Sequence, residues 1–160
     1  MYYYAHFDHA ADGITVTFPD IPEAMTCAQT DEKAMVMAED VLLTCVELYF
    51  DEGWVFPLAR AGREGETAVY LPETVYAKIL LHNTLLEKGE SKANLARLLD
   101  TQPPEVQRIL NVRHKTRIDT LGRALAALGR CICRCRVVIS SANEPAPLHT
   151  ALCRLRGWRS

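Results

Sequence analysis

The apolar positions of this chain change period from one segment to the next. Ile14, Val16 and Phe18 alternate with Thr15 and Thr17, the pattern of a half-buried strand. The aromatic-rich Tyr2–Phe7 segment fits a strand before it, across the turn Ala11-Asp12-Gly13. Pro19-Asp20-Ile21-Pro22 is expected to break the second strand, and Met25–Ala28 to form a third. The short connections imply antiparallel pairing. The spacing then becomes helical. Ala34, Met37, Ala38, Val41, Leu42, Cys45, Leu48 and Tyr49 form one stripe, with Thr30 as N-cap, Asp31 and Glu32 in the first turn and Gly53 as C-cap. That stripe needs a partner, and the Ile14–Val16–Phe18 face is the obvious one.

Arg60–Glu66 is polar and contains glycine, so a loop or hinge is expected there, followed by a short strand in "TAVYLP". From Glu73 the pattern is helical again. Pro72 opens a helix whose buried face would be Val75, Ile79, Leu80 and Leu86, ending at Gly89. "KANLARLLD" with Ser91 as N-cap, "PPEVQRILN" and "IDTLGRALAALG" read as three more helices. Arg130–Ser140 alternates like a strand. The expected organisation is an α+β module over residues 1–71, an all-α module over 72–140, and a flexible tail over 141–160.

Charge sharpens this division. The 160 residues carry a net charge of −2, but residues 1–70 hold 13 acids and 3 bases, and residues 71–160 hold 7 acids and 15 bases. The basic half suits a polyanion such as DNA, and the acidic half suits a basic protein. No apolar run is long enough for a membrane span, so no membrane partner is expected. "MYYYAHFDHA" lacks the basic and apolar regions of a secretory signal, which makes the cytoplasm the expected compartment. The six cysteines are then free thiols, with Cys27 and Cys45 packing as small hydrophobes.

"KANLARLLDTQPPEVQRIL" has the parts of a helix-turn-helix. Ala96 is small enough for a close helix crossing, and Leu95, Leu99, Val106 and Ile109 can face the partner helix. Asp100 tolerates a left-handed turn better than most residues. Pro103 and Pro104 fit only the first turn of the second helix. Its exposed Gln102, Gln107 and Arg108 are candidates for base edges. Lys92, Arg113, Lys115 and Arg117 are candidates for phosphates.

Together these segments resemble a known family. "GITVTFPDIPEAMTCAQTDEKAMVMAEDVLL" resembles the N-terminal domain of HicB antitoxins, and "LARLLDTQPPEVQRILNVRHKTRIDTLGRALAALG" resembles the C-terminal helix-turn-helix of one branch of that family. The resemblance covers roughly residues 1–139; Asp100, where glycine is common, and the Cys- and Arg-rich C-terminus depart from it. It implies a partial ribonuclease-H-like N-terminal fold without nuclease activity, which binds and neutralises a HicA-type mRNA-cleaving toxin. It also implies a homodimer or tetramer whose helix-turn-helix binds palindromic operator DNA and represses the toxin–antitoxin operon. Asp20, Glu23, Asp31 and Glu32 would offer complementary charge to the toxin.

Other chemistries are weaker. Asp8, Asp12, Asp20, Glu39 and Asp40 would form a two-metal nuclease site only by converging at a buried point, and their spacing instead suggests a solvated acidic face. Cys131, Cys133 and Cys135 lack the spacing of a zinc site, and the five histidines form no ligand pair or triad. Neither a catalytic residue nor a metal or other cofactor is expected. The competing reading is a stand-alone helix-turn-helix regulator whose N-terminal module senses a ligand or only oligomerises.

Overall fold

The computed structural model describes residues 1–130. The chain is α+β, with a four-stranded antiparallel sheet and five helices among the described residues. The strands are β1 (Tyr2–Ala10), β2 (Gly13–Phe18), β3 (Ile21–Ala28) and β4 (Thr67–Tyr70), in spatial order β3-β2-β1-β4. The expected strand at 130–140 and the tail at 141–160 lie outside the described residues, apart from Arg130.

The β2 alternation is realised directly. Ile14, Val16 and Phe18 are buried, and Thr15 and Thr17 stay partly accessible. The turn to β3 is shorter than expected. Phe18 pairs with Ile21, so only Pro19 and Asp20 form the turn, and Pro22 sits inside β3 among residues 22–24, which bulge out of the ladder. An edge strand accepts a residue without an N–H, and the register shifts beside it, between Thr17 and Phe18. The bulge also flips the side-chain phase, so Ile21 and Ala24 are both buried although three residues apart. Cys27 consequently points outward and is exposed, whereas Cys45 is buried as expected. Burial pushes the Cys45 thiol above the ordinary cysteine range.

The helix α1 (Asp31–Glu52) lies across the sheet, packed most closely on β3 and β2. Thr30 caps it by accepting from the Lys33 N–H, and Gly53 ends it at φ 68°. Its buried residues are Ala34, Ala38, Leu42, Cys45, Val46 and Tyr49. Met37 and Leu48, expected in that stripe, are instead substantially exposed. The buried stripe is therefore narrower than the apolar pattern, with Met37 and Leu48 outside it.

The helix α2 (Glu73–Lys88) belongs to two cores. Val75, Tyr76 and Ile79 join the sheet core together with Val112, while Ala77, Leu81 and Leu85 join a helical core with α3 (Lys92–Leu98), α4 (Pro103–Leu110) and α5 (Ile118–Ala127). Burial therefore encircles most of α2 and does not follow one face. Leu80 is half-buried and Leu86 lies at the exposed end, contrary to the expected stripe. The polar side chains caught inside are all partnered. Thr84 Oγ1 donates to the Leu80 carbonyl at 2.6 Å. Asn83 receives the Phe56 N–H at 3.0 Å and donates to the Phe56 carbonyl at 2.7 Å, as a neighbouring strand would.

Candidate functional site

The helical unit puts α3 and α4 side by side through a tight turn. Leu95, Ala96, Val106 and Ile109 are buried between the helices and α5, and Leu99 is half-buried against them. Asp100 takes φ 51°, the left-handed conformation that an Asp side chain tolerates. Ser91 caps α3 by accepting from the Asn94 N–H at 3.0 Å. Pro103 and Pro104 occupy the first turn of α4, where an N–H would be unpaired anyway, and Gln102 is its N-cap residue.

This packing leaves one face of α4 to solvent. Gln102, Gln107 and Arg108 are exposed on it, and Lys115 and Arg117 are exposed beyond it. Lys92 is exposed at the start of α3. Arg108 does not hang free. Its guanidinium donates to Glu105 Oε2 at 3.3 Å and to His114 Nε2 at 3.2 Å. Arg117 stands 3.8 Å from Asp119. Arg113 turns away from this face and docks on α1, donating to Glu47 Oε1 at 2.9 Å and to Asp40 Oδ1 at 3.4 Å. These hydrogen bonds, that to Glu47 first, raise the Arg113 pKa above the ordinary arginine value.

The acids of the sheet module fall into distinct surroundings. Asp20 sits in the β2–β3 turn and receives Arg60 at 2.8 Å. Arg60 also forks onto Glu66 through two N–H bonds of 2.7 and 2.8 Å. That fork, with the Arg63 N–H, lowers the Glu66 carboxyl to about 2 although its side chain is only 2% exposed. Glu23 accepts from the Tyr49 hydroxyl at 2.7 Å; burial first, then this bond, push that phenol to about 12. Asp31 pairs with His9 at 2.9 Å and raises the imidazole pKa, while Glu32 is exposed in the same turn. The five acids weighed as a metal site are spread out. Asp8 and Asp12 flank the β1–β2 turn, Asp20 holds Arg60, and Glu39 and Asp40 lie on α1. Among the described residues no three His, Cys, Asp or Glu side chains gather as metal ligands. No described helix is long and apolar enough to cross a membrane.

Two buried titratable side chains on α2 had no local pattern to announce them. Lys78, 1% exposed on α2, donates to the carbonyls of Asn111 at 2.6 Å and His114 at 2.5 Å, with that of Val112 at 3.5 Å. These are the carbonyls that follow α4, and an ammonium there suits the negative helix end. Burial lowers the Lys78 pKa below the ordinary lysine value. His82, one turn later, reaches the Trp54 carbonyl at 2.9 Å and stacks on Phe50 with centroids 4.1 Å apart. Desolvation lowers its pKa.

Known proteins resemble this arrangement over most of its length. Residues 3–80 match the family described as the HicB-like antitoxin of bacterial toxin–antitoxin systems. The chain is 45% identical over 130 residues to antitoxin HicB 2 of Photorhabdus laumondii, covering 81% of this chain and 92% of that protein. It is 38% identical over 134 residues to antitoxin HicB of Pseudomonas fluorescens, covering 82% and 92% of the two chains. It is 36% identical over 118 residues to antitoxin HicB of Escherichia coli, covering 74% and 86%. The family match takes in the sheet, α1 and the first half of α2, and the relatives align over 118 to 134 residues, more than the sheet module alone, so the chain belongs to the HicB antitoxin family.

Proposed function

We propose that this antitoxin neutralises a HicA-type mRNA-cleaving toxin through its sheet module and represses its own operon through α3 and α4. The observation that carries the toxin half is the charge of α1. This helix holds seven acids and one lysine, and most of those acids face solvent. A basic RNA-binding protein is the natural partner for such a surface, since complementary fields speed encounter and fix register. The action is steric: the antitoxin covers the toxin's RNA-binding face and needs no chemistry of its own. Asp20 and Glu23 contribute less, because Arg60 and Tyr49 already use their oxygens.

The DNA half rests on the α3–α4 pair, read as a helix-turn-helix with α4 as the recognition helix. Its small Ala96, left-handed Asp100 and proline-started second helix all favour that reading. Gln107 and Arg108 then read bases, and Lys92, Lys115 and Arg117 hold phosphates. The functional unit is a dimer or tetramer on palindromic half-sites about one helical turn apart. The test is to establish whether an adjoining reading frame encodes a short basic protein, and to co-express the chain with it, followed by purification through a tag on the antitoxin alone. A stable complex that footprints the shared promoter is the expected result. A chain that footprints the promoter but retains no neighbour-encoded protein is a stand-alone regulator.

A further inference from the structure

Arg108 is positioned by a second residue outside its helix. Its guanidinium can only donate, so His114 Nε2, 3.2 Å away, is an acceptor and carries no proton. The ring proton is then on Nδ1, 3.4 Å from Thr116 Oγ1, and that hydroxyl in turn points to the His114 carbonyl at 3.5 Å. The tautomer required by Arg108 is thus the one its neighbour supports. The backbone under the ring is fixed independently. The buried Lys78 ammonium holds the His114 carbonyl, and Asn111 Oδ1 receives the His114 N–H at 3.1 Å. A chain of contacts runs from Lys78 on α2, through the loop after α4, to the tip of an exposed arginine.

We propose that His114 is a specificity-positioning residue, which holds Arg108 for bidentate contact with a guanine edge; this rests on the reading of α4 as a DNA-recognition helix. A free arginine on a helix surface samples many rotamers and must lose them on binding. His114 and Glu105 take two of its N–H donors and leave the others for O6 and N7 of the base. A histidine that only met phosphate would strengthen binding to every sequence alike. One that orients Arg108 changes which base is preferred at a single symmetric pair of positions.

The full chain, its Arg108→Ala, His114→Ala and His114→Gln variants are each used to enrich duplexes from a random-sequence library, with melting checked for each. The wild type enriches guanine at one position per half-site, and Arg108→Ala erases that preference alone. His114→Ala erases the same preference and lowers the ratio of selected to random duplex affinity about tenfold. His114→Gln, whose amide oxygen still accepts from Arg108, retains it. A His114→Ala profile identical to the wild type overturns the inference while leaving the DNA reading intact. So does uniform weakening on all sequences, or a glutamine variant that behaves like alanine. A wild-type chain that binds no duplex overturns the DNA reading and this inference together.

Discussion

Arg113 reaches back across the molecule to Glu47, its Nε donating to Oε1 at 2.9 Å and its Nη2 lying 3.3 Å from Oε2. The pair joins the loop after α4 to the acidic face of α1, with Asp40 and Thr44 completing the guanidinium's surroundings. Two consequences follow from this one contact. The acids of α1 already accept a guanidinium, as they would from a basic partner. The same arginine is held away from any phosphate it could otherwise meet.

Removing the acids therefore frees a guanidinium that, on the proposed DNA-binding reading, can reach a phosphate. In the Asp40→Asn/Glu47→Gln double variant, affinity for a random duplex rises and the slope of log K against log salt steepens by about 0.9, one phosphate contact. Adding Arg113→Ala to that variant returns the slope to the wild-type value. Thermal stability changes little in either, because exposed ion pairs contribute little. Equal slopes with and without Arg113 would show that the arginine meets no phosphate even when released.

The Arg60–Glu66 fork makes part of the stability acid-sensitive. The Glu66 carboxyl titrates at about 2 when folded, against an ordinary value of 4.5. Because the folded value is the lower one, the unfolded chain binds more protons in between. The contribution is complete above pH 4.5 and is lost as pH falls toward 2. Urea midpoints of the wild type fall more steeply over that interval than those of Glu66→Gln. Parallel curves would remove Glu66 from the account.

The α3–α4 crossing is tested by volume and by backbone. Ala96 is 2% exposed between the helices, so Ala96→Leu overpacks the crossing and costs about 1–3 kcal/mol in urea unfolding. Asp100→Gly relieves a left-handed residue and stabilises by about 0.5–1 kcal/mol, net of the glycine's greater unfolded-state entropy. A neutral Ala96→Leu would mean that the helices separate at no cost.

Base readout and phosphate anchoring give different signatures. Arg108→Ala weakens binding to the selected duplex and relaxes one position, by about 1–3 kcal/mol. Lys115→Ala weakens selected and random duplexes equally and lowers the salt slope by about one. Equal losses on both duplexes for Arg108→Ala would assign that residue to the phosphates.

The parts of the fold that meet water on one side were legible in the sequence. The β2 alternation, the Thr30 and Gly53 caps of α1, and the proline start of α4 all appear at their expected places. The misplaced features have physical causes. The third strand begins at Ile21 and not at Met25, because an edge strand with a bulge absorbs Pro22. The α2 helix is buried on several faces, so Lys78 and His82 look in sequence like solvent-facing positions. Their partners are backbone carbonyls, at Trp54 and at residues 111–114, which no side-chain motif marks. Arg113 and Glu47, separated by 66 residues, share no local pattern either. Candidate residues were therefore readable as types on faces, while the pairs that orient them required the packed structure.

The central claim is that this chain silences a ribonuclease by covering it. The most direct measurement is RNA cleavage by the purified protein of the neighbouring reading frame, with increasing amounts of this chain. Cleavage that falls to background once the antitoxin reaches a fixed stoichiometric ratio, and returns partly with Glu32→Gln/Asp51→Asn, two exposed acids of α1, is the predicted result. Undiminished cleavage in the presence of excess folded antitoxin would contradict it.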